Sequence, residues 1–160
     1  MNFGVRKIIS GGQTGADRAA LDFALENQRG KNFETGGWIP ARRQAEDGRI
    51  SEKYSNLRET ASELPEQRTE FNVRDSDATL ILSHGSLAGG SKFTLEMCQK
   101  YRKPFLHIDL EESDITKAVA KTQNWLASIK CEILNVAGSR ASEDALIYEK
   151  SRDFLTRLFS

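Results

Sequence analysis

The stretch Ile8-Ile9-Ser10-Gly11-Gly12-Gln13-Thr14-Gly15-Ala16-Asp17-Arg18 has the form of a β-strand emptying through a glycine turn into a helix. The β-branched run is short. The segment after it is rich in alanine and carries Ala20, Phe23 and Ala24 on one face, joined by Leu21 and Leu25. Glycines let a backbone come close to a ligand, and N–H groups at a helix start attract anions. The unit therefore points to a phosphorylated ligand. It is neither the dinucleotide fingerprint G-x-G-x-x-G nor a Walker A loop, because no Lys-Ser/Thr pair follows the glycines.

Working outward, strand-like and helix-like runs alternate. Strands are expected at 5–10, 33–39, 78–83, 105–110 and 132–137, and helices at 14–27, 65–74, 92–101 and 114–129, with a last one capped by Ser142. Pro65 suits the first turn of its helix. Residues 42–57 are polar, with Asp47-Gly48 marking a turn, and form a long excursion over the mouth of the sheet. This alternation implies one α/β domain over residues 1–160, Rossmann-like and three-layered, with a mainly parallel sheet covered by helices on both faces. Ligands in such sheets bind beyond the strands' carboxyl ends. Three glycine loops, at 11–15, 85–90 and 138–140, fall at such ends and should converge on one rim.

Bulk composition narrows the class. The chain has 160 residues, long enough to bury a core without disulfide or metal staples. Its 23 basic and 23 acidic residues give a formal net charge of zero, which counts against nonspecific binding to nucleic acid or an acidic membrane. No apolar run approaches the roughly 20 residues of a membrane span, and the N-terminal residues lack a signal peptide's apolar region. A cytoplasmic protein is expected. Cys98 and Cys131 lack CxxC spacing and a nearby histidine, so buried thiols are expected rather than a metal site.

Candidate site residues follow from the loops. Gly11, Gly12, Gln13, Thr14 and Gly15 shape an anion nest. Asp17 is unusual there: it accepts from a ligand hydroxyl or ring N–H, pairs with Arg18, or serves as a first-turn dipole residue. Ser83 opens the second loop, where Gly89, Gly90, Ser91 and Thr94 lie at a helix start. Gly36, Gly37 and Trp38 would set an aromatic face beside a flat heterocycle, and Asn72 and Asp75 would hold a ring edge, though core packing and turn formation explain the same residues. Arg42, Arg43, Glu46 and Asp47 are either a solvated cluster or an arginine fork facing phosphate. No nucleophile–base pair is evident from His84 or His107. The carboxylates Asp17 and Glu96 are the remaining acid–base candidates.

Several stretches resemble one family. IISGGQTGADRAALDFAL (8–25), GGWIP with AEDGRI (36–40 and 45–50), RTEFNVRDSDATLIL (68–82), GGSKFT (89–94) and LNVAGSR (134–140) are similar to the molybdenum cofactor carrier family, a Rossmann-like group related to the cytokinin-activating phosphoribohydrolases and DNA-processing proteins. The resemblance implies a nucleotide-binding-type fold holding the molybdenum cofactor, a pterin with a terminal phosphate, or otherwise a nucleotide. It carries Gly11, Gly12, Thr14, Gly15, Asp17, Gly89, Gly90 and Ser91 over as anion contacts, with Asn72, Asp75 and Arg140 beside them. Ser91 stands where the family tends to have threonine, and Ser139 where it tends to have proline. A homo-oligomer, dimer or tetramer, and molybdoenzyme recipients are implied as partners.

Two functions stay open. One is a non-catalytic carrier that sequesters a phosphorylated pterin. The other is a nucleotide N-glycosidase like the phosphoribohydrolases, whose P-G-G-x-G-T-x-x-E loop is partly kept in Gly89-Gly90-Ser91-Lys92-Phe93-Thr94-Leu95-Glu96.

Overall fold

The computed structural model describes residues 1–31, 33–111 and 114–160, without the side chains of 28–31. Strand β1 (Lys7–Ile9) passes through the glycine turn into helix α1 (Ala16–Lys31), and β2 (Glu34–Ile39) follows. A single 3-10 turn (Ala41–Arg43) leads to β3 (Gln44–Ala45), β4 (Gly48–Arg49) and β5 (Leu57–Glu59). Then come α2 (Pro65–Arg74), β6 (Ala78–Ser83), α3 (Gly89–Lys100), β7 (Phe105–Asp109), α4 (Ile115–Ser128), β8 (Ile133–Gly138) and α5 (Ile147–Leu158).

Six of these strands form one sheet in the order β5-β2-β1-β8-β6-β7, all parallel. Helices α1, α4 and α5 cover one face, and α2 and α3 cover part of the other. The strands are apolar because both faces are shielded: every residue of β6 is buried. Ile8, Leu80, Leu82, Leu134 and Val136 meet Ala20, Ala24, Phe154 and Leu155 in the main core. Each such fully buried aliphatic side chain stabilises the fold by about 1.5–3 kcal/mol. Among the described residues no helix is long and apolar enough to cross a membrane.

The strand order has a simple physical reading. Counted from β8 as first strand, the neighbours β2-β1-β8-β6-β7 run 3-2-1-4-5, the doubly wound order. The chain's last strand thus occupies the place usually held by the first. The closure this requires is present. The Met1 ammonium donates to the carbonyls of Phe159 (3.3 Å) and Ser160 (3.4 Å), and the rings of Phe23, Phe33 and Phe159 pack together at centroid distances of 5.0 to 5.8 Å. The direction of the sheet changes between β8 and β6, so the ligand crevice is expected above that pair.

The expected elements differ from the structure mainly in three places, the first being α3, which starts at Gly89 rather than at Lys92 and so takes Gly89 and Gly90 out of the loop. The excursion at 42–57 is not structureless. Asp47-Gly48 turns the β3–β4 hairpin, with Gly48 at φ +112°, and β5 then adds an edge strand. Arg43, itself at φ +56°, organises the remainder by donating to the carbonyls of Ile50 (3.0 Å), Ser51 (2.8 Å) and Tyr54 (3.1 Å). Its guanidinium is thus committed to backbone, and the exposed Arg42 pairs with Glu63 at 2.9 Å. The last helix also starts later than expected. Its N-cap is Leu146, and Ser142 is instead drawn to Glu46.

Candidate functional site

A narrow cleft opens at the carboxyl ends of β1, β8 and β6, at the switch point of the sheet. Gly11 and Gln13 line it from the first loop, Asp17 from the first turn of α1, Asn72 from α2, Gly90, Ser91 and Thr94 from the start of α3, and Arg140 from the loop after β8. These eight sequence candidates therefore converge. Arg68, Asn135 and Glu143 also line the cleft and were not singled out from the sequence. Arg68 and Asn135 come from α2 and β8, where the helix and strand periods mark them as interior positions rather than ligand positions.

The charge balance of the cleft rests on Asp17 and Arg68. The guanidinium donates to Asp17 Oδ2 at 2.8 Å, and both side chains are at least nine-tenths buried. Burial pushes the Asp17 carboxyl above the ordinary carboxylate range, while Arg68, the Gln13 N–H and Arg18 pull it down. The sequence left Arg18 open as the partner of Asp17. In the structure Arg18 instead donates to the Gly12 carbonyl (3.0 and 3.1 Å) and to Asp47 (2.9 and 3.2 Å).

Two polar atoms in the cleft have no partner among the described residues. Ser91 Oγ and Asn135 Oδ1 are fully enclosed, on residues 3% and 2% exposed. Leaving such atoms unsatisfied costs about 1–3 kcal/mol each, so they mark where an external group would bond. Thr94 Oγ1 is spent on the Gly90 carbonyl at 2.9 Å. No side chain caps the first turn of α3 at Ala88, which leaves N–H groups there for an anion. The interior of the cleft is small, about 30 Å³.

The other candidates sit elsewhere. Gly12 (φ +72°) and Gly15 (φ +80°) are glycines for packing: a Cβ at Gly15 would lie 2.3 Å from the Ser139 carbonyl. Thr14 Oγ1 donates to Glu46, which also accepts from Ser142 N (3.1 Å) and Ser142 Oγ (2.6 Å), with Arg140 at 3.9 Å. The hairpin tip thus clasps the first and third loops. Burial alone would raise the Glu46 carboxyl, but the hydrogen bonds from Ser142 and Thr14 hold it below the usual range. Gly89 starts α3 outside the cleft lining, and Glu96 is exposed on the same helix. Gly36 lies under Lys7, while Gly37, Trp38 and Asp75 line a separate concavity. The Asn72 side chain accepts from Trp38 N (2.7 Å) and donates to Trp38 O (2.9 Å).

One pair escaped the sequence altogether. Ser83 Oγ lies 2.6 Å from His107 Nε2 because β6 and β7 are neighbours and set Ser83 beside Asp109. Ser83 is only 1% exposed, so the pair stitches two strands together and does not face the cleft. His84 is equally committed, with Nδ1 against Asp144 and Nε2 2.8 Å from Lys150 Nζ.

Comparison with known proteins fits this geometry. None of the curated proteins matches the chain. Among solved structures, one from Syntrophus aciditrophicus SB, described as a "putative molybdenum carrier protein", is 46% identical with a TM-score of 0.92, over 98% of this chain and 96% of that one. The sequence model of a family described as "Circularly permutated YpsA SLOG family" matches residues 8–159, and permutation is the relation read above from the strand order. On the family match and the 46% identity together, this chain belongs to the circularly permutated YpsA SLOG family.

Proposed function

We propose that the protein is a molybdenum cofactor carrier of the cytoplasm, holding a phosphorylated pterin for delivery to recipient enzymes. The observation that carries this reading is the enclosed, unpartnered Ser91 hydroxyl beside Arg140 at the switch point, with the acceptor Asn135 Oδ1 open to an N–H or O–H of the ligand. The description of the 46% identical relative supports it. The groups that suit an oxyanion are the Ser91 hydroxyl, the N–H groups of the uncapped start of α3, and Arg140, which also reaches Glu143 at 3.3 Å, while Arg68 is held by Asp17. With about 30 Å³ inside, the cleft takes a terminal oxyanion group, and the flat pterin lies on the rim over Gln13 and Arg140. Carriage needs no acid–base pair, and Asp17 is occupied by Arg68.

The test is anaerobic native mass spectrometry of the protein with the molybdenum cofactor and with nucleoside monophosphates. Retention of the cofactor, weakened about tenfold or more by Ser91→Ala or Arg140→Ala while any nucleotide retention is unchanged by them, is the expected result. Release of ribose phosphate from a nucleoside monophosphate would replace carriage with N-glycosidase chemistry.

A further inference from the structure

A second concavity, larger than the switch-point cleft, lies apart from it. It lies on the sheet face that α2 and α3 leave open, over the amino-terminal halves of β1, β2 and β8, and encloses about 640 Å³. Sites for small organic ligands span roughly 300–1,000 Å³. Asn72, which lines the cleft, is bonded to the Trp38 backbone and stands between the two.

Strand register explains what this face presents. Side chains alternate across a sheet, so residues 34, 36 and 38 of β2 share a face. Lys7 is paired with Glu34 and Ile133, and Trp38 with Arg58 of β5. Ile9 and Ile133 give an apolar floor. Gly36 leaves room for the Lys7 stem to cross β2: a Cβ there would lie 2.9 Å from Lys7 Cε and 3.3 Å from Nζ. The Lys7 ammonium therefore sits over Gly36, two residues or roughly 7 Å along the strand from Trp38. That is the span from a base to its phosphate across one ribose.

The charges are unequal in a way that selects a ligand. Glu34 pairs with Arg6 at 3.7 Å, and Asp75 accepts from Arg74 (2.8 and 2.9 Å) and from Trp38 Nε1 (2.8 Å). Asp75 is thus answered, and Glu34 shares Arg6 with Glu132, which lies 3.6 Å from it. Lys7 and Arg58 have no ion-pair partner among the described residues. The one ring contact of Arg58 is with Trp38, at 5.8 Å to the centroid. Two unanswered cations flanking an indole over an apolar floor suit a flat, anionic, heteroaromatic molecule. We propose that this concavity is a second binding site, separate from the switch-point cleft, for a nucleoside monophosphate, with Trp38 and Arg58 against the base and Lys7 on the phosphate.

Trp38 reports on the site directly. The chain has two tryptophans, so Trp125→Phe leaves Trp38 as the single indole fluorophore. In that background AMP and GMP are titrated, with inorganic phosphate and ribose 5-phosphate as controls. Saturable quenching by the nucleotides, and not by the controls, is expected. Lys7→Met keeps the stem and drops the charge, and Arg58→Gln drops the guanidinium. Each should weaken binding roughly tenfold, while Arg140→Ala in the other cleft leaves it within about twofold. Urea midpoints confirm that the variants fold. The proposal is overturned if no saturable quenching appears up to about 1 mM nucleotide. Quenching that inorganic phosphate reproduces, or that follows protein concentration alone, overturns it too, the latter in favour of a second copy on this face. It also falls if Arg140→Ala abolishes the signal. Loss of carriage at the switch-point cleft leaves it untouched.

Discussion

Asp17 and Arg68 lie 51 residues apart in sequence and meet at 2.8 Å directly against Gly11. A Cβ on Gly11 would fall 1.7 Å from Arg68 Nη1, so this glycine is required by the guanidinium and not by its own backbone angles. The pair fastens α2 to the first turn of α1 and sets one wall of the cleft.

Removing one partner should therefore be costly. Arg68→Ala strands a buried carboxylate and is expected to lose about 3–5 kcal/mol of stability. Gly11→Ala alone should lose about 1–3 kcal/mol by overpacking, yet add less than about 0.5 kcal/mol in the Arg68→Ala background. Urea unfolding across the four proteins measures this. Additive costs would show that Gly11 is needed for some other reason.

The Glu46 clasp gives the acid limb of stability a specific source. Because hydrogen bonds from Ser142 and Thr14 lower its folded pKa, its contribution is present above the unfolded value of 4.5 and lost as pH falls through the folded one. Glu46→Gln should flatten the stability profile below pH 4.5, with little change in that slope above it. An unchanged acid limb in the variant would mean that the clasp does not hold in solution.

His107 acts in a separate pH window. Burial lowers its pKa, helped by Lys121 and opposed by Asp109, so the imidazole beside Ser83 stays neutral. Its contribution is full above the unfolded value of 6.5 and is lost as pH falls toward the folded value. NMR titration of the ring should give a midpoint below 6.5. A midpoint at or above that value would contradict the buried neutral ring.

The strand order predicts tolerance of a covalent rearrangement. Joining the termini through a short glycine–serine linker and opening the chain before Cys131 makes β8 the first strand, in the usual doubly wound order. This permutant should keep the same far-ultraviolet circular dichroism and unfold in one cooperative step. A molten or insoluble product would show that the termini are not joined without strain.

Much of the architecture was legible from local pattern. Strand and helix periods, Pro65 at a helix start and Asp47-Gly48 in a turn act over a few residues, and each is where its chemistry puts it. The convergence of the glycine loops was legible too, because parallel strands bring their carboxyl ends to one side. Ser142 does not cap the last helix because its competing partner, Glu46, is 96 residues away in sequence and out of reach of local pattern.

Other features were settled by distance in space. Nothing near Asp17 in sequence announces Arg68, nothing near Ser83 announces His107, and nothing near Lys7 announces Trp38 and Arg58. Each depends on which strands and helices become neighbours, and the placement of β8 between β1 and β6 decides that. Short-range periodicity encodes elements because backbone geometry repeats every two or 3.6 residues. Ion pairs, orphaned oxygens and cavities belong to contacts between elements, where a residue's partner is set by packing and not by its place in the chain.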